Sequence, residues 1–135
     1  MRACRYSTKR MPAPSLHDRF KWTLLARAPD IHNSGIAYFL AKEAWPEKGI
    51  REHDALVQTA LLELLDEGLI FFYWGDWDEG CTLDPATAVR ASRAEVEADL
   101  ARGGDAPPTE QSVWFTVTPE GQSRLATISR GALLR

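Results

Sequence analysis

Apolar residues recur at helical spacing three times in the first half of the chain, and caps and prolines separate the three runs. Leu16, Phe20 and Leu24 fall about one turn apart, with Leu25 and Ala28 widening the stripe. Ser15 with Asp18 three residues on approximates a capping box after Pro14, so a first helix is expected from Ser15 until Pro29 stops it. Asn33 or Ser34 is placed to cap a second helix running to about Trp45, with Ile36, Phe39, Leu40 and Ala44 on its apolar face. Pro46 ends that helix because it has no N–H to continue the ladder, and a Pro46-Glu47-Lys48-Gly49 turn follows. The third helix is expected from about Glu52 to Glu67, with a broad stripe of Leu56, Val57, Ala60, Leu61, Leu64 and Leu65. Gly68 stands where a left-handed C-cap is wanted, and Leu69 where a Schellman cap folds an apolar residue back toward Leu64.

The period then changes from helix to strand. Leu69-Ile70-Phe71-Phe72-Tyr73-Trp74 is bulky and aromatic and stops at Gly75, and Val113-Trp114-Phe115-Thr116-Val117 reads as its partner. Thr118 as N-cap and Pro119 in the first turn open a last helix with Leu125 and Ile128 on its apolar side, closed by Gly131. The 38 residues between the strands (75–112) are too many for a hairpin turn. Within them Ser92 and Glu95 form a capping-box pair, and Val96 and Leu100 share one face of a short helix ending at Gly103-Gly104. Asp105 to Pro108 reads as a flexible return. Residues 1–14 have no periodicity and read as a loosely held basic arm, and Met11 is an alternative start that would remove it. No internal repeat is visible.

Two sequence signals in this order carry a family resemblance: a helix running through Glu67-Gly68-Leu69-Ile70 into a strand, and a return strand ending in Thr118-Pro119-Glu120-Gly121 before a helix. Over roughly residues 51–128 the chain resembles the winged-helix superfamily and is most similar to bacterial regulators of the MarR and PadR kind, with the first two helices completing a three-helix base. The resemblance implies an α+β winged helix with a long wing and a short helix inserted in it. It also implies a DNA-binding transcriptional regulator whose third helix enters the major groove while the wing touches the backbone.

Charge complicates that implication. The net charge of −3 combines seven Lys/Arg against two Asp/Glu in residues 1–30 with three against ten in residues 31–80. A DNA partner would be held by the basic parts, namely Arg2, Arg5, Lys9 and Arg10 of the arm, Arg19, Lys21 and Arg27 of the first helix, and Arg51, with Arg124 and Arg130 as further candidates. Against this, the exposed face expected for the third helix carries Arg51, Glu52, His53, Asp54, Gln58, Glu63, Asp66 and Glu67, and the wing strand ends in Asp76, Asp78 and Glu79. Carboxylates there repel phosphates. The alternative partner is a protein with a basic surface, steered by Asp76, Asp78 and Glu79 around Trp77, which either tucks onto the inserted helix beside Val96 and Leu100 or stands exposed as an aromatic anchor.

No catalytic or cofactor chemistry emerges. His17, His32 and His53 fall on different elements without metal-ligand spacing, and Cys4 and Cys81 are too few and too far apart for a zinc site or a disulfide framework. A calcium loop starting at Asp76 would need glycine sixth and glutamate twelfth, where Cys81 and Thr87 stand. No phosphate loop or nucleophile elbow is present, so the expectation is a binding protein, neither an enzyme nor a cofactor carrier. Trp22, Trp45, Trp74 and Trp114 are expected to pack at the core. With 135 residues, 44% hydrophobic and 26% charged, one globular domain is expected. No apolar run is long enough to cross a bilayer and none follows the basic start, so a reducing cytoplasm is the expected compartment.

Overall fold

The computed structural model describes residues 15–30, 32–76, 84–103 and 111–134. The arm with Arg2, Arg5, Lys9 and Arg10, the wing residues Trp77, Asp78 and Glu79, both cysteines and the 105–108 return lie outside them. The chain is α+β. Its order is α1 (Leu16–Arg27), a 3₁₀ turn (Ala28–Asp30), β1 (His32–Asn33), α2 (Ser34–Ala44), α3 (Ile50–Asp66), β2 (Ile70–Asp76), α4 (Arg93–Leu100), β3 (Gln111–Val117), α5 (Pro119–Leu125) and a closing 3₁₀ turn (Arg130–Ala132).

Helix starts follow their caps. The Ser15 hydroxyl accepts from the Asp18 N–H, Asn33 Oδ1 accepts from Ile36, and Ser92 and Glu95 close a full capping box. At the end of α3, Gly68 sits at φ 75°, a left-handed conformation that favours glycine. Its N–H reaches the Leu65 carbonyl and that of Leu69 the Leu64 carbonyl, each at 3.0 Å, which is the Schellman pair.

β2 and β3 pair antiparallel from Ile70↔Val117 to Asp76↔Gln111, and β1 adds to the other edge of β3, giving the order β1-β3-β2. The free edge of β2 is covered by the insertion itself. Trp74 N–H donates to the Val89 carbonyl at 2.8 Å and Ala91 N–H to the Phe72 carbonyl at 3.0 Å, around a Tyr73↔Arg90 bridge. This removes an exposed strand edge.

One face of the sheet (Ile70, Phe72, Val113, Phe115) joins Phe20, Leu24, Leu25, Val57, Leu61 and Leu64 of the helices in the core. On the opposite face Tyr73 and Trp114, cross-strand partners, are also buried. Val96 and Leu100 of α4 close the core from the insertion side. The two stretches that carried the family resemblance meet in space. Thr118 donates its hydroxyl to the Gly68 carbonyl at 2.6 Å and its N–H to the Leu69 carbonyl at 3.0 Å. A Cβ on Gly121 would stand 2.1 Å from that same Leu69 oxygen, so only glycine lets α5 come this close.

The structure corrects several expectations. The apolar face expected for α2 is not the one that enters the core most deeply. Ala37, Tyr38 and Ala41 are buried, whereas Phe39 is 60% exposed and Ile36, Leu40 and Ala44 are half-buried. Small residues let α2 approach the core closely, and a ranking by hydrophobicity overlooks them. His53, expected on the exposed face of α3, is buried, with Nε2 2.7 Å from the Trp45 carbonyl oxygen. α3 begins at Ile50, β2 runs past Gly75 to Asp76 and β3 starts at Gln111. The last helix stops at Leu125, with Gly131 in a separate 3₁₀ turn.

Candidate functional site

The two flanks of α3 are held by different neighbours. On one flank, His17 and Lys21 of α1 and Glu63 and Glu67 of α3 are each separated by four residues, so each pair stacks one turn apart. Lys21 Nζ is 2.6 Å from Glu67 Oε2 and 3.2 Å from Glu63 Oε1, and His17 Nε2 is 3.1 Å from the same Glu63 oxygen. Burial works against the Lys21 charge, but the hydrogen bonds to Glu67 and Glu63 outweigh it and raise its pKa. The His17 hydrogen bond lowers the Glu63 pKa, with Lys21 adding to it against the effect of burial.

On the other flank lies α4. Arg93 grips Asp66 with two parallel bonds of 2.7 and 2.9 Å and also reaches Glu97. The Gln58 amide donates to the Leu100 carbonyl at 2.9 Å, and Tyr38 of α2 donates to the same oxygen at 3.0 Å. Burial and the nearby Asp54 push the Tyr38 hydroxyl up to about 12. Asp99, at the foot of α4, is raised by burial against the pull of Arg102 and Ser34. Between the two flanks, the outward stripe of α3 is Arg51, Glu52, Ala55 and Thr59, with Leu62 beside them half-buried against the core.

The cations expected to hold DNA are dispersed. At about 100° per residue, Arg19, Lys21 and Arg27 leave α1 on different sides. Arg19 Nη2 donates to the Gly131 carbonyl at 3.4 Å. Lys21 is buried against α3, and Arg27 lines a depression beside α2. Arg51 is exposed in the first turn of α3. Arg124 lies over the Trp22 ring at 5.7 Å, and Arg130 is exposed in the last turn. Of the acidic wing, Asp76 is exposed at the end of β2. Trp22, Trp45 and Trp74 pack partly buried against the core.

Sequence reading missed the pairing of Arg93 with Asp66, although a lone arginine opening the inserted helix beside an acidic α3 was a usable signal. It also missed Arg90, whose guanidinium lies 3.7 Å from the centre of the Phe71 ring.

Among the described residues no group of three or more His, Cys, Asp or Glu is placed to hold a metal ion, and no helix is long and apolar enough to cross a membrane. No family model, curated protein or solved structure matches the chain.

Proposed function

We propose that this chain is a winged-helix protein-interaction module that presents α3 and its acidic flanks to a partner with a basic surface. The layout supports the winged-helix reading: three helices, a small antiparallel sheet, and a long excursion between β2 and β3 in the place of the wing. One observation carries the choice of partner. Among the described residues, Lys21 and Arg93, the cations from α1 and α4 beside α3, are bound to its carboxylates Glu63, Glu67 and Asp66. A DNA-reading helix needs cations turned toward phosphates and amide or guanidinium groups turned toward base edges. Here Gln58, the one side-chain amide on α3, is engaged with Leu100, and the outward stripe offers a single arginine among Glu52, Ala55 and Thr59.

Such a stripe suits a protein contact, with small and apolar residues at the centre and carboxylates at the rim. Glu52 of α3 and Glu95 and Glu97 of α4 are exposed, and would steer a basic partner toward the stripe.

The test is a photo-crosslinking residue at Thr59, with Lys48 as control position, in cells that produce the chain. A discrete protein adduct at Thr59 that disappears in an Ala55→Arg background supports the reading. A nucleic-acid adduct at Thr59 would reverse it in favour of DNA.

A further inference from the structure

We propose that Asp99 is a proton-operated latch on α4: its neutral carboxyl lets the helix sit against α2 and α3, and its carboxylate loosens it. The latch works whatever α3 binds. Two aspartates border the contact of α4 with its neighbours, and their surroundings differ. Asp66 is half-exposed and takes two guanidinium bonds from Arg93, of 2.7 and 2.9 Å. The Asp99 side chain keeps only 10% of its surface in solvent. Among the described residues its partners are the Ser34 hydroxyl at 3.5 Å and Arg102 Nη1 at 3.8 Å. Charge-assisted bonds are ordinarily about 2.7–2.9 Å long, so the ion is taken out of water without close replacements for it.

The rest of the junction gives the carboxylate little help. Asp99 and Asp54 of α3 both act on the Tyr38 hydroxyl of α2, which is itself committed to the Leu100 carbonyl. Asp54 adds negative charge at the end of α4, its Oδ2 2.8 Å from where a Cβ on Gly103 would stand. Ser34 opens α2, whose N-terminal end favours an anion, and Arg102 follows α4 with a positive charge. Burial outweighs Arg102 and Ser34 and raises the Asp99 pKa above the ordinary 3.8. A carboxyl raised in the folded chain contributes stability below its ordinary value and loses it as pH rises through the folded one. Asp66 and Glu95 are shifted the other way, by Arg93 and Ser92, so their contributions fade only at the acid end. At neutral pH Asp99 therefore opposes the docking of α4, the helix that holds Gln58 and Asp66 of α3. Proton release at Asp99 loosens the cover on that flank.

Native-state hydrogen exchange of the full chain, followed by NMR, tests the latch. Protection of the Val96 and Leu100 amides is taken relative to Leu61 and Phe115 of the core in the same sample, which removes the pH dependence common to all amides. That ratio should fall between about pH 4.5 and about pH 7, the range in which a raised carboxyl ionises. Asp99→Asn keeps the shape and cannot ionise, so its ratio should stay level over this range and exceed that of the parent at neutral pH. Arg102→Gln withdraws the cation that favours the ion and should lower the neutral-pH ratio further. The midpoint of the Asp99 carboxyl titration, read by carbon NMR, should lie above 3.8. A ratio that does not change with pH would overturn the inference, as would a midpoint at or below 3.8. So would an Asn variant less protected than the parent at neutral pH, because the carboxylate would then be well held by Arg102 and the start of α2.

Discussion

α2 and α3 pack against each other and against the same core, yet the side chains at their borders are held differently. α3 is polar outside, and nearly every polar group on its flanks has a partner within the chain: Glu63 and Glu67 on α1, Gln58 and Asp66 on α4. The exposed residues of α2 are Gly35, Phe39, Lys42 and Glu43, and Phe39 holds 60% of its surface in solvent. Part of the difference comes from the insertion between β2 and β3, which returns along the edge of β2 and covers one side of α3 with α4.

The largest effect should come where the comparison is anchored. Leu61 is fully buried between the helices and the sheet, and Leu61→Ala is expected to lower stability by about 2–5 kcal/mol in urea unfolding, since it leaves a cavity in packed surroundings. The same change at Leu100, which fastens α4, should cost a comparable amount if the insertion is part of the core. A loss below about 0.5 kcal/mol, the level of an ordinary surface site, would mean that α4 is peripheral.

Gly121→Ala comes next. Its methyl would meet the Leu69 carbonyl oxygen at 2.1 Å and Val117 Cγ2 at 2.5 Å, so α5 must move, at a cost of about 1–3 kcal/mol read from the melting curve.

These positions also show how much of the molecule was legible in the sequence. The Gly68-Leu69 and Thr118–Gly121 signals were readable because backbone geometry admits few residues there, and the structure joins them directly. The α4 capping box was readable for the same reason. The face of α2 was not. Its buried side is Ala37, Tyr38 and Ala41, two of them small, while Phe39 faces solvent and Ile36, Leu40 and Ala44 are half-buried. Nor was the state of Lys21 readable, because a lysine on an amphipathic helix looks alike whether it meets solvent or two carboxylates across a helix pair. Local signals report local backbone needs, and the candidate site is built from contacts between elements distant in sequence.

A smaller effect is expected at the α1–α3 ladder. Lys21→Met should cost about 1 kcal/mol, between the value of an exposed ion pair and that of a buried one. Its pH signature is specific. The Glu63 carboxyl titrates below its ordinary 4.5 in the folded chain, so its stabilising contribution is present above that value and lost as pH falls through the lower folded one. The Lys21 ammonium titrates above its ordinary 10.5, so its contribution is present below that value and lost as pH rises through the folded one. Unfolding curves of Lys21→Met should therefore be flatter at both the acid and the alkaline end, and an unchanged pH profile would contradict the pairing.

The smallest effect belongs to α2. Phe39→Ala should change the stability of the isolated chain by no more than about 0.5 kcal/mol, because the side chain is mostly in solvent. A fall of several degrees in the melting temperature of dilute protein would show that Phe39 is part of the core and would erase the contrast with α3.

The central claim, that α3 meets protein and does not read DNA, is tested most directly by fluorescence anisotropy of a labelled random duplex titrated with the full chain across salt concentrations. We expect no saturable binding at micromolar protein and about 50 mM salt, where a helix neutralising several phosphates would bind with a logarithmic salt slope of about −0.9 per contact. Saturable binding with a slope of several contacts, reduced by about one contact in Arg51→Ala, would contradict it.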